Sequence, residues 1–298
     1  MNYQASSMCS WSLKTKGRVF FDMLKIKSYV KAESLQQAYE LNQKKTAVIL
    51  GGMVWLKMGN RRVSTAIDLS GLDLCGIQED PEEFVIGCMT PLHDLEVHPG
   101  LLHYTGGAIK ECLRHIVGVQ FRNCATVGGS IWGRYGFSDV LTLFLAMDTW
   151  VELYKGGRIP LSEFASMEKD RDILLRLIIR KKKTKICYLS QRNTKTDFPV
   201  LTCCASKAGE DVRTVIGARP GKAMVLQDPE GILKGLCTMN PEKRKDAIHS
   251  YSAWTAQNVP VESNMRGSEE YRTHLVQVLT RRAWTDIGGT VNENGFLA

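Results

Sequence analysis

The spacing of apolar residues changes period several times along the chain, and each change marks an element. Leu24-Lys25-Ile26 opens an ordered pattern, and behind Ser34, a plausible cap, Leu35, Ala38, Tyr39 and Leu41 recur at helical spacing. Ala47-Val48-Ile49-Leu50 is a short continuous apolar run, as a buried strand requires, and it ends in Gly51-Gly52. A further strand is expected over 65–69, which makes this stretch a unit of α/β type. After Asp80-Pro81 the pattern restarts with a strand over 84–87, and Thr90-Pro91 predicts a helix start with Thr90 as the cap. Leu101, Leu102, Ala108, Ile109, Cys112, Leu113 and Ile116 predict one amphipathic helix, closed by a turn at 118–120. A buried helix over 140–147 and strands over 149–154 and 173–179 follow. Past a basic run, strands over 186–189, 200–206 and 212–216 suit an antiparallel sheet, and helices are expected over 230–237 and 269–283.

These elements divide the chain. Residues 23–180 are expected to form one domain with subdomains of about 23–78 and 79–180, and 184–290 a second. Residues 1–22, polar and without periodicity, read as an N-terminal extension, and 291–298 as a tail. A length of 298 residues exceeds one ordinary core. The 44% hydrophobic and 23% charged composition is that of a soluble globular protein, and no apolar run is long enough to span a membrane. No apolar segment with a cleavage site follows the early basic residues, so secretion is not expected.

Nine cysteines, odd in number and without a Cys-x-x-Cys pair, suggest reduced thiols in a cytoplasmic protein and no metal or iron–sulfur centre held by this chain. His93, His98 and His103 match no ligand spacing. The formal charge of +8 owes much to Arg180-Lys181-Lys182-Lys183-Thr184-Lys185, read as a solvated turn with a docking patch as the alternative. Without interleaved aromatics the run gives no case for nucleic acid. Gly217-Ala218-Arg219-Pro220-Gly221-Lys222-Ala223 falls one residue short of a phosphate loop, and no dinucleotide fingerprint, nucleophile elbow or zinc helix occurs. Any enzymatic chemistry is therefore expected to come from a bound cofactor.

The informative stretch runs from Arg122 to Asp139 and contains Thr126-Val127-Gly128-Gly129-Ser130. Paired glycines allow positive φ and remove both Cβ atoms, so main-chain amides can meet an anion. Thr126 and Ser130 add hydroxyls, and Asp139 offers an acceptor for a ribose hydroxyl. Together with Arg122 and the second pair at Gly51-Gly52, they point to a nucleotide cofactor.

Arg122-Asn123-x-Ala125-Thr126-Val127-Gly128-Gly129-Ser130, followed by Ser138-Asp139, resembles the FAD-binding (medium) subunit of the molybdenum hydroxylases, the group that includes xanthine dehydrogenase and aerobic carbon monoxide dehydrogenase. Leu50-Gly51-Gly52 corresponds to that family's first pyrophosphate loop, and Arg266-Gly267-Ser268-x-Glu270-Tyr271-Arg272 with Arg281-Arg282-Ala283 is similar to its terminal helix. The resemblance covers Met23 to about Gly289. It implies an α+β fold: two α/β subdomains of the vanillyl-alcohol-oxidase type clasping FAD, then a C-terminal antiparallel sheet with helices. The backbone of Leu50, Gly51, Gly52, Met53, Val54, Trp55 and Leu56 would approach the pyrophosphate, as would Thr126, Val127, Gly128, Gly129 and Ser130. Asp139 would hold the adenosine ribose and Leu174 would line the adenine side.

The resemblance also implies partners: a large molybdenum-cofactor subunit, a small [2Fe–2S] subunit, and NAD+ or another electron acceptor. Met53 and Val54 stand where family members usually carry polar residues, and Gly133-Arg134-Tyr135-Gly136 replaces a stretch that is commonly small and often contains proline. Leu189 stands where the xanthine dehydrogenase branch often has a basic residue. Two other readings stay open: an assembly subunit that has lost FAD, and a standalone flavin oxidoreductase. On the cofactor reading, Gly128→Val is expected to remove FAD and leave the fold largely intact.

Overall fold

The computed structural model describes residues 23–289, along which three sheets follow one another. The expected extension at 1–22 and the tail at 291–298 lie outside the described residues. The first unit holds β1 (Lys25–Lys31), α1 (Leu35–Asn42), β2 (Ala47–Leu50) and β3 (Arg62–Asp68), with β3 between the other two strands and all three parallel. Ser34 caps α1 by accepting the Gln37 N–H at 3.1 Å.

The second unit begins with β4 (Ile77–Glu79) and β5 (Glu83–Gly87). Six short helices follow: α2 (Leu92–Val97), α3 (Pro99–Tyr104), α4 (Ala108–Leu113), α5 (Val119–Cys124), α6 (Val127–Gly133) and α7 (Asp139–Ala146). Then come β6 (Thr149–Leu153), β7 (Gly157–Pro160), α8 (Leu161–Ser166) and β8 (Leu174–Arg180), giving an antiparallel sheet in the order β4-β5-β8-β6-β7. The third unit is an antiparallel sheet of β9 (Thr184–Arg192), β10 (Pro199–Ala208), β11 (Asp211–Gly217) and β12 (Met224–Leu226), with the long helices α9 (Pro241–Asn258) and α10 (Glu269–Gly288).

Three local expectations are corrected. The helix expected from Leu101 to Ile116 breaks at Gly106 and Gly107, whose φ angles of 57° and 86° belong to the left-handed region that ends helices. Thr90 does not cap α2; its hydroxyl joins the Gly76 N–H and carbonyl, both at 2.9 Å, and Pro91 takes the cap position. No α-helix spans 230–237. There the Asp228 carboxylate gathers the Ile232 and Leu233 amides into turns, and the nearby long helix is α9, of which Ile248, Tyr251, Ser252 and Thr255 alone are buried.

The main core joins the first two units and reaches Tyr188, Cys204 and Val215 of the third, whose own core lies between its sheet and its two helices. Helix α7 is buried along its whole length because it packs against β10 and β11 as well as α6 and α8. The basic run is the turn between β8 and β9, with Arg180, Lys182, Lys183 and Lys185 exposed, as expected, and some of its cations are also paired across the surface. Arg180 lies 4.3 Å over the Trp150 ring, Lys181 pairs with Glu79 at 2.8 Å, and Lys182 with Asp148 at 2.7 Å.

Candidate functional site: a main-chain cradle beside the Thr126 hydroxyl

Strand β2 delivers the chain to Gly51 at the carboxyl end of the parallel sheet, the side on which open α/β sheets leave a crevice. Side chains pin the next residues in place. Met53 and Leu56 pack on Leu50, Val63 and Ala66, and Val54 packs on the main core. This packing holds Met53 at φ +57°, a left-handed conformation that costs a residue with a Cβ roughly 1 kcal/mol. The main chain, by contrast, is left open. Among the described residues, none of the six N–H groups from Gly51 to Leu56 donates to a protein acceptor, although Lys57 already bonds the Met53 carbonyl at 3.0 Å. Backbone donors that are partly withdrawn from water need acceptors, so such a run suits an anionic ligand.

The second stretch lies against the first. A Cβ on Gly51 would sit 2.8 Å from Thr126 Oγ1, and one on Gly52 1.7 Å from the Cys124 carbonyl oxygen. The paired glycines at 128 and 129 do not act as the sequence suggests, because both lie inside α6 and neither has positive φ. Their amides are also spent within the protein. Val127 donates to the Thr90 carbonyl at 2.9 Å, Gly128 to that of Cys88 at 2.8 Å, Gly129 to Thr126 Oγ1 at 3.1 Å and Ser130 to the Thr126 carbonyl at 3.1 Å. The cradle is thus made by one loop's amides, and this helix contributes the Thr126 hydroxyl and the open face of Gly129.

The two glycines differ. Gly128 is buried, and its absent Cβ would lie 2.5 Å from the Cys88 carbonyl oxygen, so packing against the end of β5 requires glycine there. The expectation that Gly128→Val spares the fold is therefore overturned.

Arg122 is likewise structural. Its side chain, 9% exposed, meets Glu96 in a two-pronged ion pair of 2.7 and 3.1 Å and also bonds the Arg114 and Ile116 carbonyls, which fixes α5 ahead of the site. Burial works to raise the Glu96 carboxyl, but Arg122 and His93 outweigh it and hold the group below the usual carboxylate range. A carboxyl depressed on folding stabilises the fold above its unfolded pKa and loses that contribution as pH falls through the lower folded value. Glu96→Gln is accordingly expected to flatten the acid limb of a melting-temperature profile, measured between about pH 5 and pH 2.

Asp139 opens α7 behind the Ser138 cap. Its Oδ1 accepts from the Tyr188 hydroxyl and the Arg192 guanidinium, both on β9, which leaves Oδ2 as the oxygen open to a ligand hydroxyl. Burial pushes this carboxyl up to about 6, opposed by the Arg192 charge and the two hydrogen bonds. Leu174, the first residue of β8, is buried and pairs with Leu153. No group of three metal-ligating side chains occurs among the described residues, and their eight cysteines are free.

Residues 22–181 match the family described as the FAD binding domain in molybdopterin dehydrogenase, and residues 187–287 match the CO dehydrogenase flavoprotein C-terminal domain. The chain is a member of this FAD-binding, medium-subunit family of the molybdenum hydroxylases. YgfM of Escherichia coli (strain K12) is 24% identical over 274 residues, covering 88% of this chain and 96% of that protein. The nicotine 6-hydroxylase medium subunit of Paenarthrobacter nicotinovorans is 27% identical over 189 residues, 59% of this chain and 65% of its own. Among solved structures, the carbon monoxide dehydrogenase of Hydrogenophaga pseudoflava superposes with a TM-score of 0.72 at 20% identity, covering 86% of this chain and 95% of that one, a likeness of fold.

The family's cofactor is FAD, and the unpaired amides of the medium subunit beside Thr126 fit its diphosphate. Four aromatic residues at the same place escaped the sequence reading as a group. Trp55 meets Tyr135 and Phe137 from the segment after α6, and Phe198 from the β9–β10 turn. The available signal was two large aromatics, Tyr135 and Phe137, in a segment otherwise rich in glycine and serine.

Proposed function

We propose that this medium subunit relays electrons in a complex of the xanthine dehydrogenase type, between [2Fe–2S] clusters on a small partner chain and NAD+ or another acceptor. Substrate would be hydroxylated at molybdenum on a large partner chain, in the cytoplasm. The observation that carries this reading is the run of unpaired amides from Gly51 to Leu56 against Thr126. In this reading Leu50 ends the strand that aims the loop, Gly51 to Leu56 bind the diphosphate through the main chain, and Thr126 donates its hydroxyl. Val127 and Gly128 hold the helix against β5, Gly129 and Ser130 border the ligand, Asp139 Oδ2 accepts from the adenosine ribose, and Leu174 backs the adenine side. Bound flavin supplies the redox chemistry. Met53 and Val54 replace polar residues without dismantling the cradle, because they anchor it by packing while its amides remain available.

Titration of the full chain with FAD is expected to show saturable binding and the visible spectrum of protein-bound flavin. At FAD a hundredfold above its Kd the folded state gains about 2.7 kcal/mol, read as a rise in Tm. Absence of both effects would favour the assembly-subunit reading. Purification from the native host is expected to bring two further chains containing molybdenum and iron, whereas a lone, active monomer would favour the standalone oxidoreductase.

A further inference from the structure

The aromatic residues beside the cradle come from all three units, and they are arranged unequally. Trp55 stacks on Phe198 at 5.5 Å between centroids and 22° between planes, with Tyr135 and Phe137 at 6.0 and 5.6 Å at steeper angles. Tyr135 and Phe137 themselves stack at 5.2 Å and 8°, and Phe137 meets Phe198 at 4.5 Å. Neighbouring rings therefore fix the indole orientation, yet 39% of Trp55 is exposed, as is 38% of Tyr135. Trp55 also belongs to the run whose amides are unpaired, so its open surface continues directly from the anion cradle.

Resting on the flavin reading of that cradle, we propose that Trp55 is the stacking surface for the isoalloxazine ring, held in place by Phe198, Phe137 and Tyr135. A ring that must exchange electrons with another chain has to lie at an accessible edge, and Trp55 is on the exposed side of the cradle, whereas Leu174 and Asp139 are 5% and 6% exposed. Planar ring systems gain from an indole face that is already oriented, because little freedom is lost on binding. Trp55 thus selects for the flavin half of the dinucleotide, and the amides hold the diphosphate common to FAD and ADP.

The test compares FAD with ADP on the full-length chain. Trp55→Ala is expected to weaken FAD binding about tenfold or more and to leave ADP binding within about twofold. Trp55→Phe, which keeps a ring, is expected to restore most of the FAD affinity. It is also expected to alter the visible absorption and circular dichroism of the bound flavin. Equal loss of FAD and ADP would make Trp55 a prop for the loop, and no loss of either would remove it from the site, so both results overturn the proposal. Failure of the wild-type chain to bind either ligand would instead overturn the cofactor reading beneath it.

Discussion

Gly128→Ala is expected to cost the medium subunit about 3 kcal/mol, the upper end of what forcing one extra carbon into a packed core usually costs. The new Cβ would lie 2.5 Å from the Cys88 carbonyl oxygen and 2.7 Å from its Cβ. Relief is difficult because the Gly128 amide is bonded to that same carbonyl at 2.8 Å, so moving away breaks the bond that docks α6. In a domain of this size the loss corresponds to a fall in Tm of roughly 6 to 12 °C, measured without added cofactor. Gly129 provides the contrast. It is exposed, and a Cβ there would first meet Thr126 Oγ1 at 3.1 Å, the end of a side chain. Gly129→Val is expected to leave Tm within about 2 °C, since Gly is a poor helix former, while blocking the open face beside the cradle and lowering FAD content. A Gly128→Ala protein with unchanged Tm and no flavin would assign that glycine to the ligand after all.

This difference shows what could be read from the chain. The elements most visible in sequence were those with one environment along their length: the apolar strand β2, the buried helix α7, and the core strands β8, β10 and β11. The meeting of Gly51-Gly52 with Thr126 was also foreseeable, because glycine is required wherever main chains approach so closely. What the sequence did not distinguish is which neighbour a glycine approaches. Gly51 and Gly52 face Thr126 and Cys124, Gly128 faces Cys88, and only contacts between elements separate the two cases. Long-range polar pairing was hidden for the same reason. Arg122 resembled an anion donor until Glu96, 26 residues away, was seen to occupy it. Helix α9 escaped because its amphipathic pattern is weak: the third core needs few large side chains from it beyond Ile248 and Tyr251.

Asp139 links two units, and on the proposed reading it also accepts from the ribose; substitution can separate the two. Its carboxylate joins Tyr188 and Arg192 of the third unit to a helix of the second, and the Asp139 and Arg192 side chains are each 7% exposed. Asp139→Ala leaves a buried guanidinium without its counter-charge, an arrangement that typically costs 3–5 kcal/mol. Arg192→Met is expected to cost less. Asp139 already sits at about 6, above the usual 3.8, and losing its cation raises it further, so the deficit is smallest below about pH 6, where the carboxyl is protonated with or without Arg192, and widens as pH rises above it. The double variant Asp139→Leu with Arg192→Met removes both charges together and is expected to recover at least half of the stability lost by Asp139→Ala, read from Tm. With the fold restored, FAD affinity reports the second role. Loss of one hydrogen bond to a charged acceptor predicts a Kd raised about tenfold. A double variant that regains both stability and wild-type FAD affinity would make Asp139 a latch between units, with the ribose held elsewhere in the cleft.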